Sequence, residues 1–169
     1  MILPNVSKFL SFHNVGKDKY LVSSRRKNEI GDSQADLWLI GSQNAGSFMH
    51  KTVFKNCSSG AQTVAFGCRS NGSLVIAALK SQGVIVKDLK GGPEKMHTTD
   101  ERKFTCLSLH PERMVMATGD TSGRILVWHD FLESNKPVKT VYHWHTLPVA
   151  SLCFSTEGLL HLFLQFDYF

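Results

Sequence analysis

The sequence has no two cysteines close enough to form a Cys-x-x-Cys pair. Its four, Cys57, Cys68, Cys106 and Cys153, are widely spaced. Such spacing gives neither a zinc-ribbon ligand set nor the framework of a disulfide-stapled secreted domain, so reduced structural thiols in an intracellular protein are expected. No stretch approaches the ~18 consecutive apolar residues of a membrane-spanning helix. The N-terminal segment MILPNVSKFLSFHN has too short an apolar core for a signal peptide and lacks a small-residue cleavage site. A soluble cytosolic or nuclear chain is expected, with no membrane partner. Proline is limited to 5 of 169 residues, and the composition, 42% hydrophobic and 20% charged, is too apolar for a disordered chain.

The frames of catalysis are missing as well. No pair of carboxylates has the setting of a general acid and base. Ser122 lies outside any Gly-x-Ser-x-Gly frame. The stretch GSQNAG, from Gly41 to Gly46, has no following Lys-Ser/Thr and no clear helix after it, as a phosphate loop would need. Cys106 sits inside an apolar alternating run and reads as a buried structural thiol rather than a nucleophile. No cofactor and no small-molecule substrate are expected. The net charge is +5 with a pI near 9.1, which favours acidic partners. The densest basic cluster, Arg25, Arg26 and Lys27, is too small for a nucleic-acid footprint.

What the chain does have is repetition. Thr63 to Leu89, TVAFGCRSNGSLVIAALKSQGVIVKDL, and Phe104 to Phe131, FTCLSLHPERMVMATGDTSGRILVWHDF, align when Gly83 is placed on Gly123, 40 positions apart. Ala77 then meets Ala117, Ile85 meets Ile125, and Val75 and Ile76 meet Val115 and Met116. A third copy starts at VASLCFSTEGLL, with Val149 over Phe104. The apolar runs are short, β-branched and bounded by glycine, which marks strands rather than the helix pairs of a solenoid.

The second copy is the best formed. Thr105 to Leu109 alternates as a strand, HPER turns, and Met114 to Thr118 is the next strand. DTSG, from Asp120 to Gly123, is a tight turn in which glycine supplies positive φ. Arg124 to Trp128 is a third strand. After the loop ESNKP, the segment VKTVYHW is an outer fourth. Upstream, KYLVSS (Lys19 to Ser24) and DLWLIG (Asp36 to Gly41) read as strands joined by a polar loop, with no alignable repeat. Four segments are expected: 1–62 as degenerate strands forming one blade, 63–103 and 104–148 as blades, and 149–169 as the start of another.

A period of ~40–45 residues with several strands per unit is the pattern of WD-repeat proteins, and the chain resembles that family. Thr118, Gly123, Ile125 and Trp128 fall where the family places its second-strand Ser/Thr, its turn glycine, and its third-strand apolar residue and Trp. His145 falls at the His of the family's Gly-His dipeptide. The resemblance implies an all-β, partial β-propeller of about three to four four-stranded blades. It also implies a hydrogen-bonded His, Ser/Thr, Asp and Trp set tying each blade together. The chain departs from the pattern in places. Ser122 stands where the turn Asp is expected, Asp120 lies two residues off, Trp144 replaces the Gly of Gly-His, and VIVKDL ends without a Trp.

Within the family, FTCLSLHP, ATGDTSGRILVWHDF and YHWHTLPVASLCFSTEG resemble a nucleolar member of the small-subunit processome. That resemblance implies a non-catalytic scaffold in pre-ribosomal RNA processing and ribosomal RNA transcription, located in the nucleus and nucleolus. Its implied partners are other WD-repeat processome proteins, with pre-ribosomal RNA or small nucleolar RNA. Arg124 and Lys139 are the candidate phosphate contacts. An alternative is a WD-repeat adaptor in another multiprotein complex. A reading of a different class is a small metal-dependent hydrolase using His143, His145 and Cys153; His143 and His145 would share one side of a strand, but no second ligand pair has zinc spacing. After Gly158 the sequence LLHLFLQFDYF lacks the turn, third strand and Trp of a full repeat. Because propellers usually have ~4–8 blades, a fragment or truncated isoform is expected.

Overall fold

In the computed structural model the described residues are 6–16, 18–26, 34–44, 47–58, 62–68, 72–81, 83–98, 102–143 and 146–164. Every regular element among them is a β-strand. The chain divides into two compact units, Met1–Ser59 and Gly60–Phe169. No described helix is long and apolar enough to cross a membrane.

The first unit is one antiparallel four-stranded sheet. Its strands are β1 (Val6–Gly16), β2 (Lys19–Arg26), β3 (Gln34–Asn44) and β4 (Ser47–Ser58), paired in sequence order. The polar stretch expected to be all loop is shorter than that, because Arg25 and Arg26 end β2 and Gln34 begins β3. Gly41 to Asn44, the first part of the glycine-rich stretch, closes β3. Val22, Trp38 and Ile40 form an apolar cluster joined by Val6 and Tyr20.

The second unit holds two four-stranded antiparallel sheets and a two-stranded one. The first sheet is β5 (Val64–Cys68), β6 (Leu74–Lys80), β7 (Gly83–Asp88) and β8 (Lys95–Thr98). The second is β9 (Phe104–Leu109), β10 (Val115–Asp120), β11 (Arg124–His129) and β12 (Val138–His143). The last is β13 (Val149–Phe154) with β14 (Leu160–Leu164). Consecutive strands pair as meanders, which the short turns permit and which leaves each sheet with an inner first strand and an outer last one.

The first three strands of the middle sheet are buried on both faces, so they are apolar at successive positions rather than at alternate ones. Because side chains alternate across a strand, Leu107, Leu109, Met116, Leu126 and Trp128 go to one face. There they pack on Val75, Ala77, Leu79, Val84 and Val86 of the preceding sheet. Cys106, Ala117 and Ile125 go to the other face and pack on Val149 and Leu152. The inner strand β9 lies against both β5 and β13. Gln62 joins all three. Its carbonyl accepts from Leu107 N at 3.0 Å and its side-chain Oε1 accepts from Leu152 N at 3.1 Å. Thr105 Oγ1 donates to the Val149 carbonyl at 2.6 Å. Face-to-face sheets with adjacent inner strands are the blades of a β-propeller. The chain is all-β, a partial β-propeller.

The repeat is not a single 40-residue shift. Asp88 and Trp128, 40 apart, pair with Val75 and Met116, 41 apart. Between these matched pairs the β10–β11 connection is therefore one residue shorter than the β6–β7 connection. Ala77 takes the place of Thr118 rather than of Ala117.

Candidate functional site

Thr118 on β10 and Trp128 on β11 lie on the same sheet face because Trp128 pairs with Met116, two residues before Thr118. Both are fully buried. The indole Nε1 donates to Thr118 Oγ1 at 2.9 Å, so the one polar atom of a large apolar ring is satisfied inside the core. The ring is boxed in by neighbours. The His97 ring centroid is 5.7 Å away, Phe104 meets it edge-on at 6.1 Å, and Lys139 Nζ stands 4.5 Å from its centroid. Ile125 is buried on the opposite face. Gly123 takes φ +81 in the turn, a conformation that favours glycine.

Asp120, the last residue of β10, organises that turn. It is fully buried. Its Oδ1 accepts from Ser122 N at 2.8 Å, Ser122 Oγ at 2.7 Å and Arg124 N at 3.0 Å, while Oδ2 accepts from Arg124 Nε at 2.7 Å. Burial alone would push its carboxyl up. The hydrogen bonds from Ser122 and Arg124 outweigh that and hold it below the ordinary carboxylate value. The Asp two residues off the expected position is thus the turn's acceptor, with Ser122 as its donor. Arg124, a candidate phosphate contact, is an ion-pair partner of Asp120 with its side chain only 16% exposed.

His97 on β8 is buried, and its Nε2 donates to the Phe131 carbonyl at 2.7 Å, tying the outer strand of one blade to the next. Burial holds its pKa low. The Phe131 bond opposes this, and Lys95 and Lys139 push it lower again. Nothing in the sequence pattern singled out His97, since it lies in a four-residue strand between glycine-rich and polar stretches.

Beside it is a cleft of about 390 Å³ lined by Met96, His97, Thr98 and Trp128 and by Asn135, Lys136, Pro137 and Lys139. It lies between the outer strands of two consecutive blades.

Burial raises the Cys106 thiol pKa, against weaker effects of hydrogen bonds from Thr105 and Gly119, and its Sγ points to the Val149 carbonyl at 3.7 Å. His143 is exposed and its Nε2 meets the Ser122 carbonyl at 3.1 Å. His145 and Trp144 lie outside the described residues. Among the described residues no group of three or more His, Cys, Asp and Glu could hold a metal ion.

The upstream sheet carries a second tether that the sequence pattern did not disclose. Trp38 Nε1 donates to Ser24 Oγ at 2.8 Å, with both residues buried. Trp38 pairs with Val22, two residues before Ser24, the register found for Trp128, Met116 and Thr118. A third-strand Trp bonded to a second-strand hydroxyl at the same offset, in a four-stranded meander, occurs twice. Both sheets carry the tether that the resemblance to WD-repeat proteins implies.

The comparisons agree with the geometry. The chain is 34% identical over 70 residues to WD repeat-containing protein 75 of Homo sapiens, covering 41% of this chain and 8% of that protein. It is 36% identical over 58 residues to the protein of the same name in Mus musculus, 34% of this chain and 7% of that protein. The Xenopus laevis protein is 38% identical over 55 residues. The matched stretch thus spans under a tenth of the length of these relatives. No family model matches the chain. The sheet without such a tether, β5 to β8, has Ala77 and Asp88 at the Thr118 and Trp128 places. There Ser73 Oγ donates instead to Asp88 Oδ2 at 2.9 Å.

Proposed function

We propose that this chain is part of a non-catalytic WD-repeat scaffold of ribosome biogenesis, acting in the small-subunit processome in pre-ribosomal RNA processing and ribosomal RNA transcription. In this reading it works in the nucleolus, and its blades hold other WD-repeat subunits around pre-ribosomal RNA or small nucleolar RNA. The observation that carries the reading is the similarity to WD repeat-containing protein 75. The blade architecture supports it, because stacked sheets whose polar groups tie the blades to one another form a rigid frame for binding other molecules. Thr118, Gly123, Ile125 and Trp128 hold the blade of β9 to β12 in shape, His145 is proposed as the remaining member of that set, and the blades divide at residues 62, 103 and 148.

The test is affinity purification of the tagged gene product from cells, with the protein and RNA of the eluate identified. Nucleolar WD-repeat subunits together with pre-ribosomal RNA are expected. A different assembly without that RNA would overturn the ribosomal reading and leave a WD-repeat adaptor of another complex.

A further inference from the structure

The outer strand β12 is the last in its sheet, so among the described residues no strand pairs with its free edge. All six of its residues are exposed. Three of them are large and apolar: Val138 is 65% exposed, Val141 52% and Tyr142 39%. Proteins usually blunt such edges with several charges, a bulge or an inward-facing proline. Here the register with β11 is unbroken over all six residues, and Lys139 is the strand's one lysine.

The cleft beside it opens at the first residues of this strand, through Pro137 and Lys139. Its lining carries the cations Lys136 and Lys139 and no carboxylate. Lys95, next to the lining residue Met96, reaches across to the Glu133 carbonyl at 3.1 Å. Burial lowers the His97 pKa, and the nearby Lys95 and Lys139 lower it further. An anionic group entering here replaces water around two cations with a direct charge partner. The cleft offers a nucleobase no platform, because Trp128 is fully buried under His97, Phe104 and Lys139, and stacking is the main device for holding single-stranded RNA.

We propose that the β12 edge and the adjoining cleft bind an extended acidic segment of a partner protein. The segment adds as a fifth strand to β12. It alternates apolar residues, which cover Val138 and Tyr142 on one face of β12, with a carboxylate that on the other face enters the cleft between Lys136 and Lys139. This deepens the scaffold reading by assigning one surface and the chemistry of its occupant, and it rests on that reading.

Random twelve-residue peptides displayed on phage, selected on the full 169-residue chain, test this. The selected sequences are expected to alternate Asp or Glu with apolar residues. A synthetic peptide from the selection should slow amide exchange over residues 138–143 and bind at least ten-fold more weakly to the Lys136→Glu/Val141→Glu variant. Both substituted side chains are exposed, so the variant's unfolding midpoint should match the parent's and separate lost binding from lost fold. Selection without acidic enrichment, binding unchanged in the variant, or protection of residues 138–143 by a uridine oligonucleotide instead, would each overturn the proposal. Co-purification of processome subunits can succeed or fail independently of these outcomes, so the two readings fail separately.

Discussion

The Trp128–Thr118 hydrogen bond is buried at both ends, so neither partner can turn to water when the other is removed. Thr118→Val leaves the indole N–H without an acceptor, and Trp128→Phe leaves the hydroxyl without its donor. A buried unmet polar group costs about 1–3 kcal/mol. The smaller Phe ring adds a void, so Trp128→Phe should cost about 2–4 kcal/mol. The double variant should cost less than the two singles together, because the second change orphans nothing new. Urea unfolding of all four proteins checks this, and strict additivity would mean the bond contributes nothing of its own. At this scale the sequence was readable where family spacing holds, as at Thr118, Gly123 and Trp128. It was not readable at Asp120. A carboxylate two residues early can serve the same turn only because Ser122 donates with both its N–H and its hydroxyl, and a position-by-position pattern cannot carry that substitution.

Strands β9 to β11 were legible because both their faces are buried and glycine marks their turns. The upstream sheet was harder for a geometric reason. Ser24 and Trp38 are 14 residues apart, whereas Thr118 and Trp128 are 10 apart, so the same tether is hidden behind a longer β2–β3 connection. Strands β1 and β4, with many exposed positions and polar interruptions, gave no clean period. If the tether is equivalent, Ser24→Ala should cost about 1–3 kcal/mol, read as faster amide exchange in β2 and β3. Unchanged exchange there would show the bond to be incidental. Between blades a close approach occurs at Gly119 on β10. A Cβ there would stand 2.6 Å from Val149 Cβ and Cγ1 and 2.9 Å from Cys106 Sγ. Gly119→Ala must therefore push β13 outward or twist β10, and overpacking of this kind typically costs about 1–3 kcal/mol. Its unfolding midpoint should fall, while Gly91→Ala, with open space around its Cβ, should leave it nearly unchanged.

Across the molecule the buried ionisable groups confine stability to one pH window. Burial keeps the pKa of His97 below its ordinary 6.5, against the Phe131 bond and with help from Lys95 and Lys139. His110 is also lowered, by burial and then by Arg113, against Glu112. A lowered pKa means the unfolded chain binds the proton first as pH falls. Stability from both histidines is therefore whole above pH 6.5 and is lost as pH drops from there toward their folded values. Asp120 has the same sign lower down, its contribution being present above 3.8 and lost as pH falls through its depressed folded pKa. Cys106 has the opposite sign. Burial raises its thiol above 9.0, so its contribution is whole below 9.0 and is lost as pH rises through the folded value. The unfolding midpoint should therefore be level between about pH 6.5 and 9. It should fall in an acid step that begins near 6.5 and then steepens below 4. Replacing His97 by Gln, which can still donate to the Phe131 carbonyl but does not titrate, should shrink the first step and leave the second. A midpoint that stays level down to pH 5 in the parent chain would mean that His97 takes up its proton without opening the contact between β8 and the following blade.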